Sequence, residues 1–354
     1  MQFPEQGKPP VGIIFDSDIG NRIDDTLALA LLYGFDGKRE ARVVSVSVTK
    51  SNLKAAAFCE AVGRFYAGAF SAVGRTLPVG LATDGKMPED TPLFTVPLAK
   101  VNAEGAPVYS HGIEKPNDTA EPTALIRNAF TAQHDQNCIV VLVGPATNLV
   151  KVLDLPGVKE VITKKVRFLA LMGGAYPQGT PEFNIKTDIP AARKLFAEWP
   201  TPIVASGYEV GEALLFPASS IENDFSWSPA HPVVDAYRAY KAMPYDAPSW
   251  DMTAVLYAVR PEAHYFKLSE PGTISVLDDG RTKFSPSPGG KHRYLILDPT
   301  QKENIVKTYI EIASAKPVPR QPRRRQQQQE QEQKQQQQKP PEQPKPPEAK
   351  PPTP

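Results

Sequence analysis

Two runs in the chain, VGIIF at residues 11–15 and IVVLV at 139–143, carry no polar side chain at any position. A strand that is apolar on both sides must be covered on both sides, and the arrangement that does this routinely is a parallel sheet sandwiched between helices. The surrounding pattern agrees. Residues 24–33 and 52–66 have helical spacing around a second β-branched run at 43–48. The alternation resumes with a helix at 121–134, the strand 139–143, a short helix at 146–153 and a strand at 166–171, then a helix at 191–199 and a strand at 203–205. The expected fold class is therefore α/β, an open, mostly parallel sheet flanked by helices. No internal repeat interrupts residues 11–315, which read as one domain.

Composition narrows the partners. Two Cys in 354 residues exclude a disulfide-stapled scaffold, and Cys59 and Cys138, in a helical and a strand pattern, read as inert core thiols. No apolar run of about 18 residues predicts a membrane span, so no membrane partner is expected. A net charge of +1 argues against a nucleic-acid partner held by bulk electrostatics. Residues 316–354 hold 9 Lys and Arg against 4 Glu, with 11 Pro and 12 Gln in 39 positions, which leaves the rest of the chain mildly acidic. Such a tail has almost nothing to bury and is expected to be disordered, either a solvated spacer or an interaction tail whose partner the sequence does not name. Residues 1–10 read as a flexible amino terminus without the apolar stretch of a secretory signal. The expected location is cytoplasmic, or that of a processed exported form.

The carboxylates are the most informative residues. The first strand runs straight into Asp16, Asp18, Asp24 and Asp25. Ligands of open α/β sheets collect beyond the carboxyl ends of the strands, where this cluster would lie. Like charges so close repel unless a cation neutralises them or some are protonated. Oxygen donors with no Cys or His nearby suit Ca²⁺ or Mg²⁺ better than Zn²⁺. Capping of the following helix accounts for Asp24 alone, and a satisfied strand-end acid for Asp16, but neither accounts for all four.

The segment IIFDSDIGNRIDDTLALALL resembles the amino-terminal signature of the inosine-uridine preferring nucleoside hydrolases. Four later segments match that family in order: VSVTKSNLKAA (46–56), LVGPATNL (142–149), LMGGAY with PEFNIKTDIPAA (171–192), and WDMTAVLYAVRP (250–261). The resemblance covers residues 12–261, continues weakly to about 312 and does not reach the tail. It implies metal-dependent hydrolysis of an N-glycosidic bond, with Ca²⁺ as the metal and Mg²⁺ as the second choice. Asp18 would be general base and metal ligand, and Asp25, Asp251 and the carbonyl of Val143 would be further ligands. Asp24, Glu182 and Asn184 would bind ribose hydroxyls, with Asn52 assisting and Asp16 orienting its neighbours from behind. The substrate would be a small-molecule nucleoside, and the chain would assemble as a dimer or tetramer.

Two departures stand out. Five residues, IGNRI, separate Asp18 from Asp24 where the best-known members have three, so Asn21 and Arg22 reshape that loop. Arg22 either neutralises the cluster or meets an anionic substrate group such as a phosphate. Trp250 precedes Asp251 where many members carry a His thought to protonate the leaving base. Trp250 is suited to stacking on a purine but not to proton donation, so no general acid is assigned. Tyr208 and Glu209 are candidates for the base pocket by position. His111 reads as an ordinary loop histidine, and Asp188 as a helix cap. Two other functions compete: a haloacid dehalogenase-like phosphohydrolase, for which Asp16-Ser17-Asp18 would be the nucleophile motif, and a non-catalytic nucleoside or sugar binder with an interaction tail. The phosphohydrolase reading leaves Glu182 and Asn184 without a role.

A chain cut after Ser314 is expected to keep full activity and an unchanged melting temperature. Loss of either, measured beside the full chain, would show that the tail is more than a spacer.

Overall fold

The first apolar run becomes β1 (Val11–Ser17), and every residue of it is buried. The computed structural model describes residues 9–67 and 77–317 of the chain. Most of the expected flexible amino terminus, and the expected tail from residue 318 onward, lie outside the described residues. The other strands are β2 (Ala41–Lys50), β3 (Val79–Lys86), β4 (Cys138–Val143), β5 (Val166–Met172) and β6 (Ile203–Ser206). They are followed by a short pair, β7 (Leu215–Phe216) and β8 (Ala247–Pro248), and by β9 (Phe266–Leu268), β10 (Gly272–Val276), β11 (Thr282–Pro286) and β12 (His292–Leu297).

Parallel pairing runs unbroken through β3-β2-β1-β4-β5-β6-β12. Antiparallel β10 and β11 extend the sheet beyond β12, and β9 pairs with β12 off the main path. The two kinds of strand read differently for a physical reason. In β4, Ile139, Val141 and Val143 enter one apolar cluster while Val140 and Leu142 enter another. Both sides are dry, so the sequence shows no alternation. In β10, Ile274 and Val276 are buried while Thr273 and Ser275 are exposed, the pattern of a sheet wetted on one side.

From β1 the chain steps outward through β2 and β3 in one direction, then returns to place β4, β5 and β6 in the other. The reversal falls between β1 and β4, and ligands collect in the crevice such a reversal opens. Gly144 lets the two strand ends approach there. A Cβ at Gly144 would stand 2.7 Å from the backbone nitrogen of Asp18. No helix among the described residues is long and apolar enough to cross a membrane.

The helix Ile23–Gly37 leaves the site and is buried along most of its length. The helix Lys302–Ala313 packs on it so closely that a Cβ at Gly34 would stand 2.0 Å from the carbonyl oxygen of Ile312. Tyr66 and Trp227 donate hydrogen bonds to the carbonyls of Ala313 and Ser314 at the end of that last helix. Gly34→Ala gains about 1 kcal/mol of helix propensity, but a contact with backbone cannot relax by a rotamer change, and overpacking of this kind costs about 1–3 kcal/mol. The clash is expected to win. Thermal denaturation of Gly34→Ala should show a clear drop in midpoint, and an unchanged midpoint would mean that the two helices do not pack this tightly.

Candidate active site

The carboxyl ends of β1 and β4 open on a cavity of about 330 Å³. Asp18, Asp24, Asp25 and Asp251 line it, together with Val143, Glu182, Asn184 and Trp250. Local structure explains how each arrives. Asp24 and Asp25 occupy the first turn of the helix Ile23–Gly37, and Asp251 the first turn of the helix Trp250–Val259, where the unpaired amides and the helix dipole favour an acid. The backbone N–H of Asp251 donates to Asp24 Oδ2 at 3.0 Å and ties the two helix starts together. Glu182 caps the helix Phe183–Thr187, and its carboxylate accepts from the amides of Gly174, Asn184 and Ile185. Asn184 donates through Nδ2 to the carbonyl of Met172 at 3.2 Å, and its Oδ1 has no partner among the described residues.

Burial dominates the electrostatics. Asp16, Asp18, Asp24, Asp25 and Asp251 are each no more than 5 % exposed. Burial pushes Asp16 and Asp24 up to about 7, although Ser47 and Asn148 favour ionised Asp16, and the Asp251 amide and the Arg22 charge favour ionised Asp24. Asp25 and Asp251 lie well above the usual carboxylate range, by burial first and then by repulsion from their acidic neighbours. Asp18 is raised by burial and partly restored by the bond from Asn21 and the charge of Lys50. Asp25 stands beside both Asp18 and Asp251 and accepts from Ser17 Oγ at 2.6 Å. Carboxylates can stand so close only when they share a proton or a cation.

The donor set fits a hard divalent ion. The cavity collects carboxylate and carbonyl oxygens, and Asp24 Oδ1 is buried with no hydrogen-bond partner. As the side chains lie, no group of three or more His, Cys, Asp or Glu among the described residues is disposed to hold a metal. The acids instead crowd one another, and a cation would have to draw their oxygens around itself.

Not every residue singled out from the sequence reaches the cavity. Asn52 is not among the residues that line it. Its Nδ2 donates to the Pro88 carbonyl and to Asp90, and its Oδ1 accepts from the amides of Lys54 and Ala55, so it caps one helix start and ties down a loop. Asp16 lies behind the cavity wall, where Oδ1 accepts from Ser47 Oγ at 2.5 Å and Asn148 Nδ2 at 2.9 Å. A dehalogenase-type nucleophile would have to face the substrate, so this placement removes the phosphohydrolase alternative. Trp250 lines the cavity, but its ring already contacts Tyr208, stacked at 5.5 Å, and the Arg22 guanidinium, 4.7 Å from its centroid. Tyr208 also lines the cavity, whereas Glu209 and His111 do not. Asp188 caps the helix Ile189–Glu198, and Cys59 and Cys138 are buried free thiols.

Lys50 escaped the sequence reading. It is 1 % exposed, and its Nζ donates to Asn21 Oδ1 at 2.9 Å. Asn21 Nδ2 in turn donates to Asp18 Oδ2 at 2.7 Å. The available signal was a lysine ending a strand in which Val alternates with Ser and Thr, a position where a buried charge must find a partner.

An open α/β sheet whose switch point holds an acid-lined cavity of nucleoside size defines a ligand-binding site of hydrolase type. The chain belongs to the inosine-uridine preferring nucleoside hydrolase family, whose model it matches over residues 13–318. Solved structures share the fold at low identity. A plant nucleoside hydrolase is 18 % identical with a TM-score of 0.64, over 87 % of this chain and all of that one. The inosine-uridine preferring nucleoside hydrolase of Bacillus anthracis is 16 % identical with a TM-score of 0.60, over 85 % of this chain and 99 % of that one. The type III effector protein XopQ, in complex with adenosine diphosphate ribose, is 15 % identical with a TM-score of 0.61, over 87 % of this chain and 95 % of that one. No curated protein matches the sequence significantly.

The pH dependence of stability follows from Asp16. An unfolded aspartate titrates near 4 and the folded one at about 7, so between these values the native protein holds a proton that the unfolded chain releases. That stabilisation is present below about pH 4 and is lost as pH rises through about 7. Without divalent cation, the melting temperature should fall between about pH 4 and 7 and level off above that, and it should fall less in Asp16→Asn. Equal slopes in the two proteins would place the proton elsewhere.

Proposed function

We propose that the protein hydrolyses the N-glycosidic bond of a ribonucleoside or a ribosyl relative, releasing the free base and ribose. The observation that carries this is the chain of buried carboxylates, with one orphaned oxygen, on the floor of a cavity of nucleoside size. Asp18, Asp25, Asp251 and the carbonyl of Val143 are the residues that would hold a divalent cation, Ca²⁺ before Mg²⁺. When bound, that ion supplies a fixed positive charge that gathers the ribose diol and acidifies water.

The side chains supply the rest. Asp18 has one oxygen fixed by Asn21, which orients the carboxylate to take the proton of the attacking water. The unpartnered oxygens of Asp24 and Asn184 are free to accept from sugar hydroxyls. Glu182, pinned by three amides, holds the loop that carries Asn184. Water oxygen bonds to C1′ as the C1′–N bond breaks, and the electron pair leaves with the base, which then takes up a proton. A missing hydroxyl would leave these buried acceptors unpaired, so the site should discriminate between sugars strongly. Inclusion of ribosyl relatives is supported by XopQ, which has this fold and is described with adenosine diphosphate ribose bound.

The test is release of reducing sugar from a panel of purine and pyrimidine nucleosides, with and without chelator, for wild type and Asp18→Ala. Release should require the cation and should drop at least about 100-fold in the variant, the usual scale for a lost general base. Binding of nucleoside by a folded, Ca²⁺-supplied protein with no release would reject hydrolysis in favour of a binder.

A further inference from the structure

We propose that the rim of the cavity is a phosphate-binding subsite built on Arg22 and Lys186, so that the preferred ligand is a ribosyl phosphate ester rather than a bare nucleoside. The inference rests on the proposed placement of ribose on the carboxylate floor and adds what lies at the other end.

The cavity is divided by charge. Its floor is acidic, while Arg22 and Lys186 are the cations that line it, and both are exposed. Neither side chain makes a hydrogen bond or ion pair among the described residues, and the Thr180 hydroxyl on the same wall is equally unpartnered. If Arg22 served to neutralise the cluster, it would pair with an acid. Asp24 feels its charge, yet the Asp24 carboxylate bonds the Asp251 amide and makes no ion pair with the guanidinium. The guanidinium is held instead over aromatic rings, 4.7 Å from the Trp250 centroid and 5.9 Å from that of Phe183. Cation–π attraction holds the group there, and its N–H donors, unpartnered among the described residues, remain available to an anion. Lys186 follows Phe183 by three residues on one short helix, so the two share a helical face and the second cation stands on the same side of the opening.

Ligand stereochemistry connects floor to rim. In a β-ribonucleoside the 2′ and 3′ hydroxyls project from one face of the sugar, and both the base and the 5′ carbon project from the other. A diol seated on the acidic floor therefore directs a 5′-phosphoryl group toward the opening, where Arg22 and Lys186 stand. Phosphate and Arg form the planar, doubly hydrogen-bonded pair that gives charge-assisted contacts their strength.

The test compares inosine with inosine 5′-monophosphate as substrates of the full, Ca²⁺-supplied protein, and ribose with ribose 5-phosphate as ligands by calorimetry. Each phosphorylated compound should be favoured by about 10-fold or more at low salt, with the preference shrinking as salt is raised. Lys186→Gln should remove much of that preference while leaving inosine hydrolysis unchanged. Arg22→Gln should remove more of it, and Arg22→Lys, which keeps charge but loses the fork, should fall between. Equal kcat/KM for the two substrates, or equal losses for both in Lys186→Gln, would overturn the subsite. Should neither substrate be cleaved, tighter binding of ribose 5-phosphate than ribose, abolished in the variants, would uphold the subsite and reject hydrolysis. Equal binding of the two sugars would reject the subsite.

Discussion

Mutual repulsion among carboxylates withdrawn from water is the constraint around which this molecule is arranged. Asp16, Asp18, Asp24, Asp25 and Asp251 sit together at 5 % exposure or less. A lone buried carboxylate would take up a proton, and several together do so more readily. Their surroundings answer this in three ways. Neutral donors satisfy single oxygens, as Ser47 and Asn148 do for Asp16 and Ser17 does for Asp25 at 2.6 Å. Amides and helix starts offer partial positive charge, as the Asp251 N–H does to Asp24. Lys50, whose ammonium is disfavoured by burial and supported by the neighbouring carboxylates, stands beside the cluster and reaches Asp18 through Asn21.

That arrangement depends on the sheet. With both sides of the parallel strands covered by apolar clusters, the polar groups at the end of β1 have no route to solvent except the crevice beside β4. Gly144 brings the two strand ends close enough for the cluster to close. The residues are thereby held in a dry, preformed pocket, where electrostatic effects on a reacting group are larger than in water.

The fold was largely legible because its signal is local. Apolar runs at 11–15 and 139–143 became β1 and β4, each extended by a residue or two at its ends. The half-wetted strands β10 to β12 gave a weaker pattern because polar positions interrupt them. The site was legible where acids cluster in sequence or match a family motif. The surroundings of Asn52 were not legible, because its amide is occupied by a loop that no pattern in the chain links to it. Lys50 was missed because its partner Asn21 lies 29 residues away and becomes visible only once β1 and β2 are paired.

What the sequence determined alone was the two-sided sheet, the strand that ends in acids and the membership of a family, since each rests on residue spacing within short segments. The tertiary structure decided which of those acids share one cavity. Asp251 meets Asp24 across 227 residues, a contact set by how the helix Trp250–Val259 packs against the helix Ile23–Gly37. It also decided that Arg22 is held by aromatic rings instead of collapsing onto the nearby carboxylates. Both outcomes depend on distances between segments remote in the chain, and a linear pattern carries no information about distance until the core has packed.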